Sequence, residues 1–468
     1  MKNKFKLIYI IVFFIICAIP TVFMFVIRNP VNYEKRTLAS MPVLIDKNGL
    51  NTGFPSGFDS WYSDHFAFKA QLNTGYGSLF YYLLNESPNS KVIAGRQDWL
   101  FFNETIDDYT GKNLLTPRQI ECVARTVELE NNYLKSLGIP YVFTIAPNKN
   151  TLYGEFMPSR YFRTKEPSNL DILADRLKNS DVTYVDLKNL FLDLKNAVGT
   201  DYYYHKRDTH WNNLGALMAY RKIMSTVAEK VPDFVYDNYD DAKYTLEKTW
   251  TGDLDEMLLP ALNIKDFQYN FNLQKLYTTD KPMSGPEDIS IITKNPLKTN
   301  SLLIFRDSFY NSMLDFVSNG INSVDYSRAV PFQFNLAEND KPDAVVFEIV
   351  ERNLITLINR APVLDALRIT LPDGAADVTD TAAVNSNKQG KRTKIYGWLP
   401  ENSVDVDSKI YVRFTGKDSG ETFDYEAFPI LEADLEDSAP SFAINTGFSI
   451  YVDTNFINDN YNISIWIR

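Results

Sequence analysis

The chain has 468 residues, 45% of them apolar and 23% charged, which leaves room for two or three domains with cores of their own and excludes a disordered protein. Its net charge of −11, with no Lys/Arg-rich block, excludes a nucleic-acid partner, because neutralising phosphates needs a basic face. Two cysteines, Cys17 and Cys122, exclude a disulfide framework and a cysteine-based zinc site.

Lys2, Lys4 and Lys6 precede Leu7–Ile27, an unbroken apolar run of the ~20 residues needed to cross a bilayer. No small-x-small cleavage site follows it, so residues 1–28 read as an uncleaved single-pass anchor that leaves the body extracytoplasmic. Residues 29–54 read as a polar linker. The helical stretch Phe58–Leu84 contains Asp64 and His65. Neighbours on a helix diverge by about 100°, so these two read as scaffold and not as a site. Gly95–Phe102 (GRQDWLFF) reads as a turn and a strand, with Trp99, Phe101 and Phe102 as core.

Thr116 as N-cap, Pro117 at the first helical position, Gln119 closing a capping box and Gly138 as the stop delimit a helix. The strand Tyr141–Ala146 and the loop Pro147–Asn150 follow. Alternation continues through Asn169–Leu177 (helix), Thr183–Leu187 (strand), Leu214–Val227 (helix), Leu302–Phe305 (strand), Ser308–Phe316 (helix) and Ala344–Val350 (strand). This is the pattern of an α/β, doubly wound parallel sheet, whose site lies at the carboxyl ends of its strands.

Two of the three histidines fall within Asp201–Asn213, DYYYHKRDTHWNN. Asp208 stands two residues before His210, close enough to hold one ring nitrogen while the other acts as a base. Ser308 opens a strand-to-helix turn, which suits a nucleophile with a backbone oxyanion donor. The candidate catalytic set is therefore Ser308, His210 and Asp208. Asn148, with Lys149 beside it after another strand, reads either as a second oxyanion donor or as a turn former. Arg328 reads either as a clamp on an acyl or sugar oxygen or as a surface arginine. The acids of Thr249–Leu258 (TWTGDLDEML) lack the spacing of a calcium hand and read as a solvated turn. Beyond Pro372, residues 371–392 read as a linker. Short alternating segments over 393–468 read as an antiparallel β-sandwich whose Trp398, Tyr411, Phe423 and Tyr425 are either core or a sugar-stacking face.

DTHW followed by NLGALMAY, and RDSF after a buried strand, resemble signatures of the alginate O-acetyltransferase group of SGNH-type hydrolases and their DHHW-type relatives. In that family the Asp-x-His pair also precedes the serine. DHFAFKAQL at Asp64–Leu72, GRQDWLFF, the Pro-x-Lys of Pro147–Lys149 and VVFEIVERNL at Val345–Leu354 extend the resemblance over roughly residues 55–360. The family commonly has Gly-Asp-Ser where this chain has Arg306 in the first position. The resemblance implies an SGNH-hydrolase-like domain over 55–370 and a carbohydrate-binding-like domain over 393–468. It also implies acetyl transfer through an acyl-serine to an exported polysaccharide, acetyl supply by a membrane-bound O-acyltransferase, and no metal or soluble cofactor. A carbohydrate esterase using the same three residues, or a non-catalytic polysaccharide-binding or assembly protein, are the alternatives.

Overall fold

The structure, a computed structural model, describes residues 2–24, 26, 37–47, 49–198, 202–432, 435, 439–454 and 461–468. Its centre is a seven-stranded sheet built from β1 (Tyr141–Ala146), β2 (Thr183–Val185), β3 (Thr278–Thr279), β4 (Ser290–Lys294), β5 (Ser301–Phe305), β6 (Ser323–Ser327) and β7 (Ala344–Val350), in the order β2-β1-β7-β5-β6-β4-β3. The first five of these run parallel, and β4, next to the edge strand β3, pairs antiparallel with both β6 and β3. Every residue of β1 and β7 is buried, as expected of strands covered on both faces.

Period-two alternation divides the strands between two cores. Val142, Ile304 and Val346 face a cluster with Trp211 and with Ala216, Tyr220 and Ile223 of the helix Asn213–Lys230, which begins two residues after Trp211. Phe143, Phe305 and Phe347 face the other cluster, with Val123, Val127 and Leu134 of the helix Pro117–Ser136. The expected capping box is formed: Thr116 accepts from Gln119 N–H while Gln119 accepts from Thr116 N–H, and Gly138 supplies the left-handed stop at φ +75°.

Several elements differ from the sequence reading. Phe58–Leu84 is two helices, Phe54–His65 and Lys69–Leu84, because Phe66 is extended and Phe68 left-handed at φ 62°. The strand expected to reach Leu187 stops at Val185, and a further helix, Leu187–Val198, begins there. Ser308–Phe316 starts as a 3-10 turn (Ser308–Met313) and becomes α-helical only over Leu314–Gly320. Asp307 caps that turn by accepting from Phe309 N–H. The linker expected at 29–54 lies outside the described residues at 29–36 and 48, and its described end carries a short antiparallel pair, Ile45–Asp46 with Gly49–Leu50. Near the N-terminus the helix Lys2–Met24 contains one stretch, Phe5–Met24, long and apolar enough to cross a membrane.

The segment 371–392, expected to be a linker, carries regular structure. It supplies strands β9 (Ala376–Asp377) and β10 (Ala383–Gln389), and β8 (Arg368–Ile369) lies just before it. The segment is polar because β10 is an exposed edge strand that hairpins through Gly390, at φ +63°, onto β11 (Arg392–Trp398). With β12 (Ile410–Gly416), β13 (Thr422–Glu426), β14 (Gly447–Asp453) and β15 (Tyr461–Ile467) the region forms two antiparallel sheets, β8-β13-β12-β15-β9 and β10-β11-β14. Ile395, Val412, Phe414, Phe448, Ile450 and Ile465, drawn from both sheets, belong to one buried cluster. Tyr411, Phe423 and Tyr425 are buried, so of the four aromatics only Trp398 keeps part of its surface. This region packs on the Pro117–Ser136 helix. Arg125 pairs with Glu426 through two of its guanidinium nitrogens, Nε and Nη2, and Arg118 donates to the carbonyls of Asn445, Val406 and Ser408.

Candidate active site

The carboxyl end of β5 delivers Ser308 and the loop after Tyr202 delivers His210. Ser308 Oγ lies 2.8 Å from His210 Nε2, and His210 Nδ1 lies 2.7 Å from Asp208 Oδ1, so the three residues singled out in the sequence form one hydrogen-bonded chain. The same Asp208 oxygen accepts from His210 N–H at 2.9 Å, the folding-back that the Asp-x-His spacing allows. The imidazole is 20% exposed, and Ser308 is half-buried. As the first residue of its 3-10 turn, Ser308 has a backbone N–H with no acceptor inside the turn.

Asp307 ties the turn to the neighbouring strand: its Oδ1 accepts from Phe309 N–H and its Oδ2 from Val350 N–H at 2.7 Å. Arg306, standing where the family has a small residue, is buried. Its guanidinium donates to Asn311 Oδ1 and to the carbonyls of Asp307, Pro286 and Asp288. The large side chain therefore braces the turn from within the fold.

The second oxygen of Asp208 is held from outside its own loop. Oδ2 accepts from Trp250 Nε1 and from Asp253 N–H, each at 3.0 Å. Asp253 in turn accepts from Thr209 N–H and Oγ1 and lies 3.7 Å from His210 Nδ1. Thr249–Leu258 is thus not a solvated turn: Asp253 and Asp255 are buried, one against the Asp208–His210 loop and the other paired with Arg207. Gly252 permits this approach, since a Cβ there would fall 2.0 Å from Arg207 O. Asp208, His210 and Asp253 bring three ligand-type atoms within 4.8 Å, yet the hydrogen bonds just described already occupy them.

Burial alone would raise the Asp208 carboxyl, but the adjacent His210 and its hydrogen bonds hold it well below the usual carboxylate range. Burial alone would lower His210, and Asp208, with Asp253 behind it, raises it above an ordinary histidine. The other histidine of the stretch, His205, stacks on Trp250 at 4.9 Å and is pushed down to about 4 by burial, which keeps it neutral. His65 bonds to Trp61 O and stacks on that ring, while Asp64 accepts from Ala39 N–H.

The other candidates are engaged elsewhere. Asn148 Nδ2 donates to Asp108 and its backbone N–H to Glu351, so the amide expected at the oxyanion is committed to a buried carboxylate network. Lys149 Nζ donates to the carbonyls of His205, Lys206 and Asp208, clamping the loop that carries Asp208 and His210, and burial lowers it to about 8. Arg328 is ion-paired with Glu287, which also accepts from Asn311. A residue given no role by the sequence reading stands closer. Arg352, just past β7, lies 5.4 Å from the Phe309 ring and has no hydrogen-bond or ion-pair partner among the described residues. Its charge opposes protonation of His210. The signal for it was the VVFEIVERNL motif, whose arginine follows a buried strand.

Residues 92–289 match the model of the SGNH hydrolase-like domain of the acetyltransferase AlgX, a span that holds Asp208, His210, Trp250 and Asp253 and ends before Ser308. A probable alginate O-acetylase AlgJ of Pseudomonas fluorescens is 27% identical over 193 residues, 40% of this chain and 46% of the relative. Its Pseudomonas aeruginosa counterpart is 25% identical over 211 residues, 44% of this chain and 50% of the relative. The chain thus spans about half the length of the curated relatives it matches. The solved structure of Bacillus cereus PatB1 with a sulfonyl adduct covers 56% of this chain and 97% of its own, at 16% identity and a TM-score of 0.42. By these sequence matches the chain is similar, over two fifths of its length, to the SGNH hydrolase-like domain of AlgX and to alginate O-acetylases of the AlgJ type.

Proposed function

We propose that the protein is an O-acetyltransferase acting on an exported polysaccharide through an acyl-serine. The observation that carries this reading is the continuous chain Asp208–His210–Ser308, with contacts of 2.7 and 2.8 Å. His210 Nε2 takes the hydroxyl proton as Ser308 Oγ attacks the acyl carbonyl, and the same nitrogen returns it to the leaving group when the carbonyl re-forms. A sugar hydroxyl then gives its proton to His210, attacks the acyl-serine, and Ser308 recovers the proton. The Ser308 N–H stabilises the oxyanion in both halves, and Asp208 supports the imidazolium that forms between them.

The matches to AlgX- and AlgJ-type proteins support acetyl as the group and a polysaccharide as acceptor. On this reading residues 1–28 anchor the protein, residues 55–370 form the catalytic domain facing the extracytoplasmic side, and a membrane-bound O-acyltransferase supplies the acetyl group. The C-terminal sheets form a sandwich that serves as a sugar-binding-like domain. The test is acetyl release from p-nitrophenyl acetate by the full chain, with and without oligosaccharide, beside the acetyl content of secreted polymer in cells carrying Ser308→Ala. Acceptor-dependent turnover and loss of polymer acetylation are expected. Release at one rate whatever the acceptor would make the protein an esterase, and full acetylation by Ser308→Ala would make it non-catalytic.

A further inference from the structure

The helix Lys69–Leu84 carries its apolar residues on the wrong side for a protein surrounded by water. Its inward face presents Thr74, Gly77 and Tyr81. The outward face presents Leu72, Tyr76, Leu79 and Leu83, from 51% to 72% exposed. At about 100° per residue these four fall within about 60° of arc, one unbroken apolar stripe. The inward face is small because the helix backbone sits directly on the neighbouring segment: a Cβ on Gly77 would fall 2.4 Å from Leu258 O, and Thr74 Oγ1 accepts from Ala261 N–H. A stripe of this size facing solvent marks a non-aqueous neighbour.

The contacts of the apolar helix Lys2–Met24 point to what that neighbour is. Phe68, at the head of the stripe, packs 5.5 Å from Phe23 near the end of the apolar helix Lys2–Met24. Ala67 N–H donates to Pro20 O, Thr21 and Tyr62 share a hydroxyl contact of 2.6 Å, and Met24 is buried. The end of the membrane-length helix is therefore seated on this helical pair, and the exposed stripe continues from the point where that helix would leave the bilayer.

We propose that Lys69–Leu84 lies in the boundary between lipid headgroups and acyl chains, with Leu72, Tyr76, Leu79 and Leu83 immersed. The proposal rests on the reading of Phe5–Met24 as a membrane anchor. Such a helix holds the catalytic body at a set height and orientation above the bilayer. The connection to the site is short. Tyr81 OH, on the inward face, accepts from Arg207, one residue before Asp208, and Gly77 abuts the segment that supplies Asp253.

The experiment places a nitroxide spin label at Leu79→Cys and Leu83→Cys, and at exposed Leu297→Cys as the control, in the full chain. Each carries Cys17→Ser, with Cys122 left buried. The chain is reconstituted into phosphatidylethanolamine and phosphatidylglycerol vesicles. Collision with oxygen, which partitions into lipid, is compared with collision with a water-soluble nickel chelate. Carbonate extraction reports separately whether the chain is anchored, and circular dichroism whether the variants are folded. The expected result is an oxygen-to-nickel ratio several-fold higher at 79 and 83 than at 297. An anchored protein whose labels at 79 and 83 match the control overturns the interfacial helix while leaving the anchor standing. Labels shielded from both reagents overturn it in favour of a protein partner or a second copy. Release by carbonate overturns the anchor and the proposal together.

Discussion

Asp208→Asn tests the site most sharply because the two oxygens of that carboxylate accept four hydrogen bonds, from His210 N–H and Nδ1 and from Trp250 Nε1 and Asp253 N–H. An amide has one acceptor oxygen and an NH2, so one pair of donors must face another donor whichever way the group turns. With the NH2 toward His210, Nδ1 has to become the acceptor, and Nε2 then carries the proton and cannot take one from Ser308. With the NH2 toward Trp250, two buried donors lose their acceptor, at about 1–3 kcal/mol each. Loss of the correct tautomer and of the charge supporting imidazolium is worth about 10⁴-fold in turnover, or ~5 kcal/mol of barrier. The assay is acetyl release from p-nitrophenyl acetate across pH. In the native chain Asp208 raises His210, and only the neutral ring is a base, so activity rises with pH through a midpoint above the usual histidine value near 6.5. The variant's residual activity should show that limb displaced to lower pH. Activity within tenfold of the native chain on an unmoved limb would refute the argument.

Three further outcomes follow from other contacts. Gly252→Ala places a methyl 2.0 Å from Arg207 O, so the 249–258 segment must withdraw and take Trp250 and Asp253 with it; turnover should fall at least about tenfold in a folded protein, and Gly252→Ser should fail in the same way. Arg352→Ala removes a positive charge that opposes His210 protonation, so the rising limb should move to higher pH with activity partly restored there, while Arg352→Lys leaves the limb in place. An unchanged profile in the alanine variant would disprove that coupling.

Glu130 is fully buried, with Tyr141 OH as its donor, and burial pushes it up to about 8 from an ordinary 4.5. A raised acid favours the fold below its unfolded value, and that contribution is lost progressively as pH rises from 4.5 to 8. Glu130→Gln, which keeps the Tyr141 bond, should remove a pH-dependent penalty on the order of 3 kcal/mol at pH 7. Denaturant melts at pH 5 and pH 8 measure it: the two proteins should converge at the lower pH and separate at the higher. Parallel curves would show that the carboxyl titrates normally.

Much of the fold could be read because its signals are local. The cap at Thr116 needs only Gln119 three residues on, and a parallel strand such as Ala344–Val350 needs only its own apolar run. Asp208 and His210 were readable together for the same reason, since two residues of separation are enough for the carboxylate to reach back. The residues that were misread have their partners far along the chain. Trp250 and Asp253 act on Asp208 from 42 and 45 residues away, and with their partners unseen a run of acids looks solvated. The polar segment before Arg392 looked like a linker because an edge strand keeps most of its side chains in water.

From the sequence alone came the alternating α/β pattern, the candidate triplet Ser308, His210 and Asp208, and an N-terminal run of bilayer length. Tertiary structure alone decided which groups share the Asp208 carboxylate, that Asn148 and Arg328 are engaged by Asp108 and Glu287, and that Lys149 clamps the loop. It also decided that one helix turns its leucines outward. Periodicity records how a segment divides its own residues between two faces. What each face meets depends on distant chain brought near by the sheet, and no spacing within the segment encodes it.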